Sequence, residues 1–393
     1  MVSIKISNGK ILTRQGILDR GTLLINGNKI HSVVAGNSNV PSTIEIDARN
    51  NYVSPGFIDI HVHGGGGHDF MDNTPEAFYA IAKIHAQHGT TAMCPTTLTS
   101  EVADLNETIR VYDEVIHTKY EGAGFVGLHI EGPYLAMNQR GAQDPRYIRN
   151  FDEKEYRAVV AKSRSIRRWS AAPELPGSSL FAKHMVANGI MPAIAHSDAT
   201  YEDVVQAISD GYTHVTHFYS AMSGVTRRNA MRFAGIIEST YLLDVLTTEI
   251  IADGVHLPAP LLKLVYKLKG ADKVALITDA MRAAGMPPGE STLGSRKNGL
   301  TVIVEDGVAK LPDRSSFAGS IATTDMLVRN MISLGGVPLP VAVKMMTQTP
   351  ATIMGLGLRK GVLEAGMDAD VVIFDENINI STTIVGGEIV PRK

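Results

Sequence analysis

The stretch Pro55-Gly56-Phe57-Ile58-Asp59-Ile60-His61-Val62-His63-Gly64 reads as an apolar strand that ends in two histidines. In a β-strand, residues i and i+2 lie on one face. His61 and His63 therefore project from one strand end toward one point, the geometry a divalent metal needs. Asp59 shares that face, one step further in. Gly64 to Gly67 follow at once and leave room for a substrate beside the metal. The stretch points to a metal-dependent hydrolase.

Outward from it, a strand-then-helix rhythm repeats. Eight strand candidates stand out: Phe57–Val62, Thr90–Cys94, Phe125–Ile130, Ile166–Ala172, Met191–Ala195, Thr213–His217, Thr248–Ala252 and Val274–Thr278. Amphipathic segments such as Glu202 to Ser209 and Pro258 to Leu268 lie between them. The alternation argues for an α/β fold, a (β/α)8 TIM-like barrel. A doubly wound open sheet would show the same alternation. The fourth strand carries the weakest signal, because Arg167 and Arg168 interrupt it. No Gly-x-Gly-x-x-Gly opens any of the helices, which argues against a dinucleotide site.

Both ends of the chain have a β texture. Val2, Ile4 and Ile6 alternate before an expected turn at Asn8-Gly9, and Thr22 to Ile25 runs into Asn26-Gly27-Asn28. Asp370 to Phe374 and a Gly386-Gly387 hairpin close the sequence. The expectation is a small β-sandwich domain from residues 1–53 and 358–393 around a catalytic barrel at 54–357. A hairpin insertion near 295–315 would overhang the barrel mouth, a position from which it could close on substrate.

The chain has 393 residues and a net charge of −3, which gives no reason to expect nucleic acid or an anionic membrane as partner. No segment has the continuous apolar core of a signal peptide or the length of a membrane span. The single cysteine, Cys94, sits in an apolar run and reads as a buried structural thiol. A reducing cytoplasm fits.

Barrel active sites form at the C-terminal ends of the strands. Polar residues gather at those positions: His61 and His63, then Glu131, His196-Ser197-Asp198, His217, Asp253 with His256, and Asp279. Imidazoles with carboxylates suit Zn²⁺ and similar metals. A histidine taken singly is more often structural, but recurrence on successive strands weakens that alternative. His129, one step deeper than Glu131, and His214, facing away from His217, read either as structural or as supports behind the ligands. Asp279 is the candidate general base, able to take a proton from an activated water and return it to a leaving amine.

These motifs resemble the amidohydrolase superfamily. His129-Ile130-Glu131-Gly132-Pro133 is more specific and is similar to the N-acetylglucosamine-6-phosphate deacetylases. Thr216-His217-Phe218-Tyr219-Ser220-Ala221-Met222, Ala252-Asp253-Gly254-Val255-His256, Thr278-Asp279-Ala280 and Phe317-Ala318-Gly319-Ser320 continue the likeness in order. The resemblance implies metal ligation by Glu131, His196 and His217, catalysis by Asp279, and a sugar and acetyl contact by His256. It implies substrate contacts at Ala142, Gln143, Ser220, Ala221, Phe317, Ala318 and Gly319. It also implies a homodimer in which Arg228 of one subunit grips the substrate phosphate of the other. The cofactor is a divalent metal with Zn²⁺ as the default, one or two ions per subunit. The retained His61 and His63 allow the second ion, with Glu131 bridging.

The expected reaction is deacetylation of N-acetylglucosamine 6-phosphate, a phosphorylated amino sugar, to glucosamine 6-phosphate and acetate. The alternative is another hexosamine 6-phosphate deacetylase or N-acyl amidohydrolase. Two departures bear on that choice: Ser220 stands where the family often has Asn, and uncharged Gln143 where many members have His. A scaffold that had lost its chemistry would have shed ligands, and this chain keeps them all.

Overall fold

A computed structural model of the chain describes residues 2–392. Eight parallel strands form the barrel: Phe57–Val62, Thr90–Thr97, Leu128–Glu131, Ile166–Ala171, Met191–Ile194, His214–Val215, Thr247–Ile250 and Val274–Leu276, with the short strand Gly124–Phe125 a ninth member of the sheet beside Thr90–Thr97. Each pairs in parallel with the next in chain order. This is the TIM-like barrel. The last and first strands meet at their C-terminal ends, where the His63 and Gly64 N–H groups donate to the Ala280 carbonyl at 2.8 and 2.9 Å. The Asp279 N–H donates to the His61 carbonyl at 2.9 Å. The Asp59 carboxyl accepts from the Thr278 N–H and hydroxyl at 3.2 and 2.5 Å. Burial pushes the Asp59 carboxyl up to about 7.

Strand alternation sorts the first strand as its sequence implies. Ile58 and Ile60 pack with Ala351 of the helix Gln348–Ile353. Asp59 and His61 take the opposite, inward face. The fourth strand forms in spite of its arginines: Arg167 is exposed, and Arg168 lies fully buried inside the barrel.

The two chain ends build one separate sheet. Val371–Phe374 runs antiparallel to Tyr52–Pro55, and Val2–Thr13 joins Gly16–Asn26 and Ser42–Asp47. Ile4, Ile6, Leu23, Ile25, Val371 and Ile373 form its core. Asn8-Gly9 is not a turn. It is an irregularity within one long strand, with Asn8 at φ 55° and a register shift beside Gly9. A β-bulge absorbs an Asn in the left-handed region as readily as a turn does.

The insertion is larger than a hairpin. Gly289–Leu293, Leu300–Glu305 and Val308–Lys310 form a three-stranded antiparallel sheet. It has its own apolar core of Leu293, Val302, Val304, Ala309 and Ala318. Arg282 ties it to the glycine loop. Its guanidinium donates to Asp72 twice at 2.7 Å, to the Gly67 carbonyl at 3.0 Å and to the Gly294 carbonyl at 2.6 Å. Arg282→Met would leave Asp72 and these carbonyls without their buried donor. We expect a stability loss of about 3–5 kcal/mol, read as a lowered urea midpoint. A loss under about 1 kcal/mol would show that solvent replaces the clamp.

Candidate metal and active site

The residues at the strand ends depart from strand geometry. His196, His217 and Asp279 have φ of 45°, 26° and 47°, and Tyr219 and Ala221 follow at 78° and 51°. Non-glycine residues in this region cost about 1–3 kcal/mol each and persist where surrounding contacts over-determine them. Here the turn swings each side chain from its strand toward the barrel axis.

Two groups of potential ligands result. His61, His63 and Asp279 form one; Glu131, His196 and His217 form the other. Within each group the ligand atoms lie within 4.8 Å of one another, and all six residues are buried. The Nε2 atoms of His61 and His63 are 3.2 Å apart, as are those of His196 and His217. Asp279 Oδ1 lies 3.1 Å from His63 Nε2 and 3.4 Å from His61 Nε2. Glu131 stands between the groups. Its Oε1 is 2.9 Å from His217 and 3.3 Å from His196, and its Oε2 is 3.6 Å from His63.

The far ring nitrogens decide which way the lone pairs face. His63 Nδ1 meets the Thr96 carbonyl at 3.2 Å, and His196 Nδ1 meets the Gln139 carbonyl at 2.7 Å. His61 Nδ1 meets Glu249 at 2.9 Å. Carbonyls and carboxylates only accept, so each Nδ1 carries a proton, and each Nε2 turns a lone pair inward once its ring gives up the second proton to a cation. Converging imidazole lone pairs and carboxylates fit a divalent cation such as Zn²⁺.

The charges are mutually supporting. Burial alone would push the Glu131 carboxyl up, but His61, His196 and His217 hold it well below the usual range. Burial works against Asp279 in the same way, and His61 and His63 lower it. Burial would depress His63, but Asp279 and Glu131 outweigh it and lift the ring to about 9. Both carboxylates are therefore anions.

An open cavity of about 720 Å³ lies above these groups. His63, Glu131, His196, His217 and Asp279 form its floor; Ala142, Gln143, Ser220, Ala221, His256, Phe317 and Gly319 line it. Lys310 and Arg314 to Ser316 of the insertion complete the rim. His256 is oriented by Asp253, whose carboxylate accepts from Nδ1 at 2.7 Å, and its ring packs on Phe317. Ala318 and Arg228 do not line this cavity, and Arg228 is the residue expected to come from a partner subunit. Ala318 is buried in the insertion core, its N–H bonded to the Ala309 carbonyl. Arg228 is exposed on the hairpin Thr226–Phe233, its guanidinium over the Phe233 ring, and does not line this subunit's cavity.

Gln143 does more than the motif suggests. Its amide oxygen accepts from the Thr99 N–H at 2.9 Å and from the Thr99 hydroxyl. Its amide nitrogen therefore faces Glu131 and donates to Oε2 at 2.8 Å. That bond fixes the carboxylate plane.

The Amidohydrolase family profile matches residues 52–390. This chain belongs to the amidohydrolase family. It is 33% identical to the N-acetylglucosamine-6-phosphate deacetylase of Lysinibacillus sphaericus over 99% of this chain and 98% of that one. It is 31% identical to the N-acetylgalactosamine-6-phosphate deacetylase of Escherichia coli O157:H7, covering 97% of each. Among solved structures it superposes, with a TM-score of 0.90 and 29% identity over the whole of both chains, on N-acetyl-D-glucosamine-6-phosphate deacetylase from Mycobacterium smegmatis. That structure is of a substituted form in complex with N-acetyl-D-glucosamine-6-phosphate.

In this amidohydrolase the barrel interior beneath the ligands is polar. His129 bonds Ser170 at 2.7 Å and Thr96 at 3.2 Å; His214 bonds Glu249 at 3.1 Å and Thr247 at 2.8 Å. Both stand behind the ligands. Arg168 reads in the sequence only as an interruption of the fourth strand, and Glu249 stands out in no motif. They form a fully buried ion pair, with Glu249 taking two guanidinium nitrogens at 2.5 and 2.7 Å. Burial would raise the Glu249 carboxyl, but Arg168, His214 and His61 hold it well below its usual range. Cys94 is buried nearby, its thiol pushed up to about 12 by burial, which is inert for nucleophilic chemistry. Among the described residues, no helix is long and apolar enough to cross a membrane.

Proposed function

We propose that this chain hydrolyses the acetamide of N-acetylglucosamine 6-phosphate, giving glucosamine 6-phosphate and acetate. The observation that carries the reading is the anionic Asp279 at the cavity floor, a member of one of two ligand groups with Glu131 of the other standing between them. Relatives with that activity in their names, similar over the full length, support the choice of substrate.

Glu131, His196 and His217 would hold one divalent cation, and His61 and His63, with Glu131 between, a second. Zn²⁺ is our assignment. A bound cation polarises a carbonyl and lowers the pKa of water toward neutrality. Asp279 takes the proton of the attacking water on its carboxylate, then delivers it to the amide nitrogen as the C–N bond breaks. His256, held at Nδ1 by Asp253, turns its other nitrogen toward the acetyl oxygen and the sugar. Ser220, Ala221, Phe317 and Gly319 shape the sugar subsite. A homodimer would bring the exposed Arg228 of one subunit over the cavity of the other, where a guanidinium grips phosphate oxygens in a fork. A cytoplasmic setting fits the single buried thiol.

The second reading is N-acetylgalactosamine 6-phosphate as substrate, supported by the Escherichia coli relative named for that activity. A panel on metal-quantified protein separates the two. We expect N-acetylglucosamine 6-phosphate to give the highest kcat/KM. Arg228→Ala should raise KM for phosphorylated sugars roughly 10- to 100-fold without moving turnover of unphosphorylated N-acetylglucosamine. A preference for N-acyl amino acids or unphosphorylated sugars would discard the reading.

A further inference from the structure

We infer that Glu249, clamped by Arg168, is a positioning residue: it fixes the aim of His61 and so makes the His61–His63–Asp279 group able to take up a cation. This rests on the two-ion reading given above.

His63 and His196 are anchored by backbone carbonyls, which no substitution removes. His61 is anchored differently. Its Nδ1 meets Glu249 Oε1 at 2.9 Å, and Glu249 comes from the seventh barrel strand, 188 positions along the chain. The carboxylate can only accept, so the proton sits on Nδ1 and the Nε2 lone pair faces His63 and Asp279. The service depends on Glu249 not rotating, and every neighbour prevents it. Arg168 holds both oxygens, His214 Nε2 meets Oε2 at 3.1 Å, and the Arg168 fork is itself braced on the Thr216 hydroxyl at 2.7 Å. Arg168, Glu249, His61 and His214 have no accessible surface. The one link from Glu249 to the other ligand group is to the His217 backbone N–H at 3.4 Å, not to its ring.

Stability does not account for this arrangement. A buried ion pair adds little over well-packed apolar side chains of the same volume, because both charges must be desolvated. Orientation of a ligand does account for it, since outer partners of metal-binding histidines set ring orientation and basicity.

The test is Zn²⁺ binding by metal-stripped protein, with affinities from chelator competition and content by mass spectrometry. His61→Ala identifies which ion belongs to the His61 group. In the charge-free pair Arg168→Met/Glu249→Leu, that ion should weaken at least about tenfold, while the ion of Glu131, His196 and His217 stays within about threefold. Should that pair misfold by circular dichroism, Glu249→Gln carries the test. Its amide keeps the shape but sets an NH2 against the guanidinium, and the same selective loss is expected. Unchanged affinity for both ions, or equal weakening of both, overturns the inference while leaving the two-ion reading standing. A wild-type chain that binds one ion, indifferent to His61→Ala, overturns the two-ion reading and this inference with it.

Discussion

Asp279→Asn is expected to lower kcat for deacetylation by about 10²- to 10⁴-fold, the range of a lost general acid–base, in a chain that stays folded. Asparagine keeps the shape of the side chain and tolerates the left-handed region better than most residues, so the φ of 47° is retained. The backbone bonds that hold Asp279, its N–H to the His61 carbonyl across the barrel seam and its carbonyl to the Ser320 N–H, do not involve the side chain. What is lost is the anion. Asp279 is held below its ordinary range by His61 and His63 against the effect of burial, which makes it a carboxylate able to accept a proton. An amide cannot hold that proton for the departing amine. The assay is run with Zn²⁺ in excess, so that a weakened His61 group does not mimic the effect. Near-wild-type turnover under those conditions would remove Asp279 from its role.

The same two residue types show what a sequence can and cannot disclose. His61-Val62-His63 was legible because period-two geometry acts within three residues and because the strand is apolar on both sides of it. Glu131, His196, His217 and Asp279 were legible because barrel topology sends strand ends to one place. Arg168 was misleading for the same reason: locally it breaks an apolar strand, and its compensating charge, Glu249, lies 81 positions away. No local pattern pairs them. The left-handed backbone at His196, His217 and Asp279 leaves no trace either, since none of the three is glycine. Gln143 was read through the family resemblance as a substrate contact. Only the folded chain brings Thr99 to its amide oxygen and so turns its nitrogen to Glu131. Ala318 failed as a cavity contact because the insertion has a third strand and a core of its own, into which Ala318 points.

Glu131→Gln should be the most damaging single change to metal binding. The carboxylate touches both ligand groups: it lies 2.9 Å from His217, 3.3 Å from His196 and 3.6 Å from His63. The substitution leaves four inward-facing imidazoles but removes the anion that balances a divalent charge among them. The new amide nitrogen would also confront either the Gln143 donor or the ring nitrogens. Outer partners of metal ligands are worth 10- to 100-fold in affinity, so losing a direct ligand shared by both groups should cost at least about 10²-fold. The variant should purify with little metal and deacetylate orders of magnitude more slowly. Chelator-treated wild type supplies the control, because Zn²⁺ should restore it and should not restore the variant at the same concentration. His61→Ala, which strips only one group, should retain metal where Glu131→Gln does not. If the two variants lose metal to the same degree, the groups are not joined through Glu131. If Glu131→Gln keeps a full complement of metal, Glu131 is not a ligand at all.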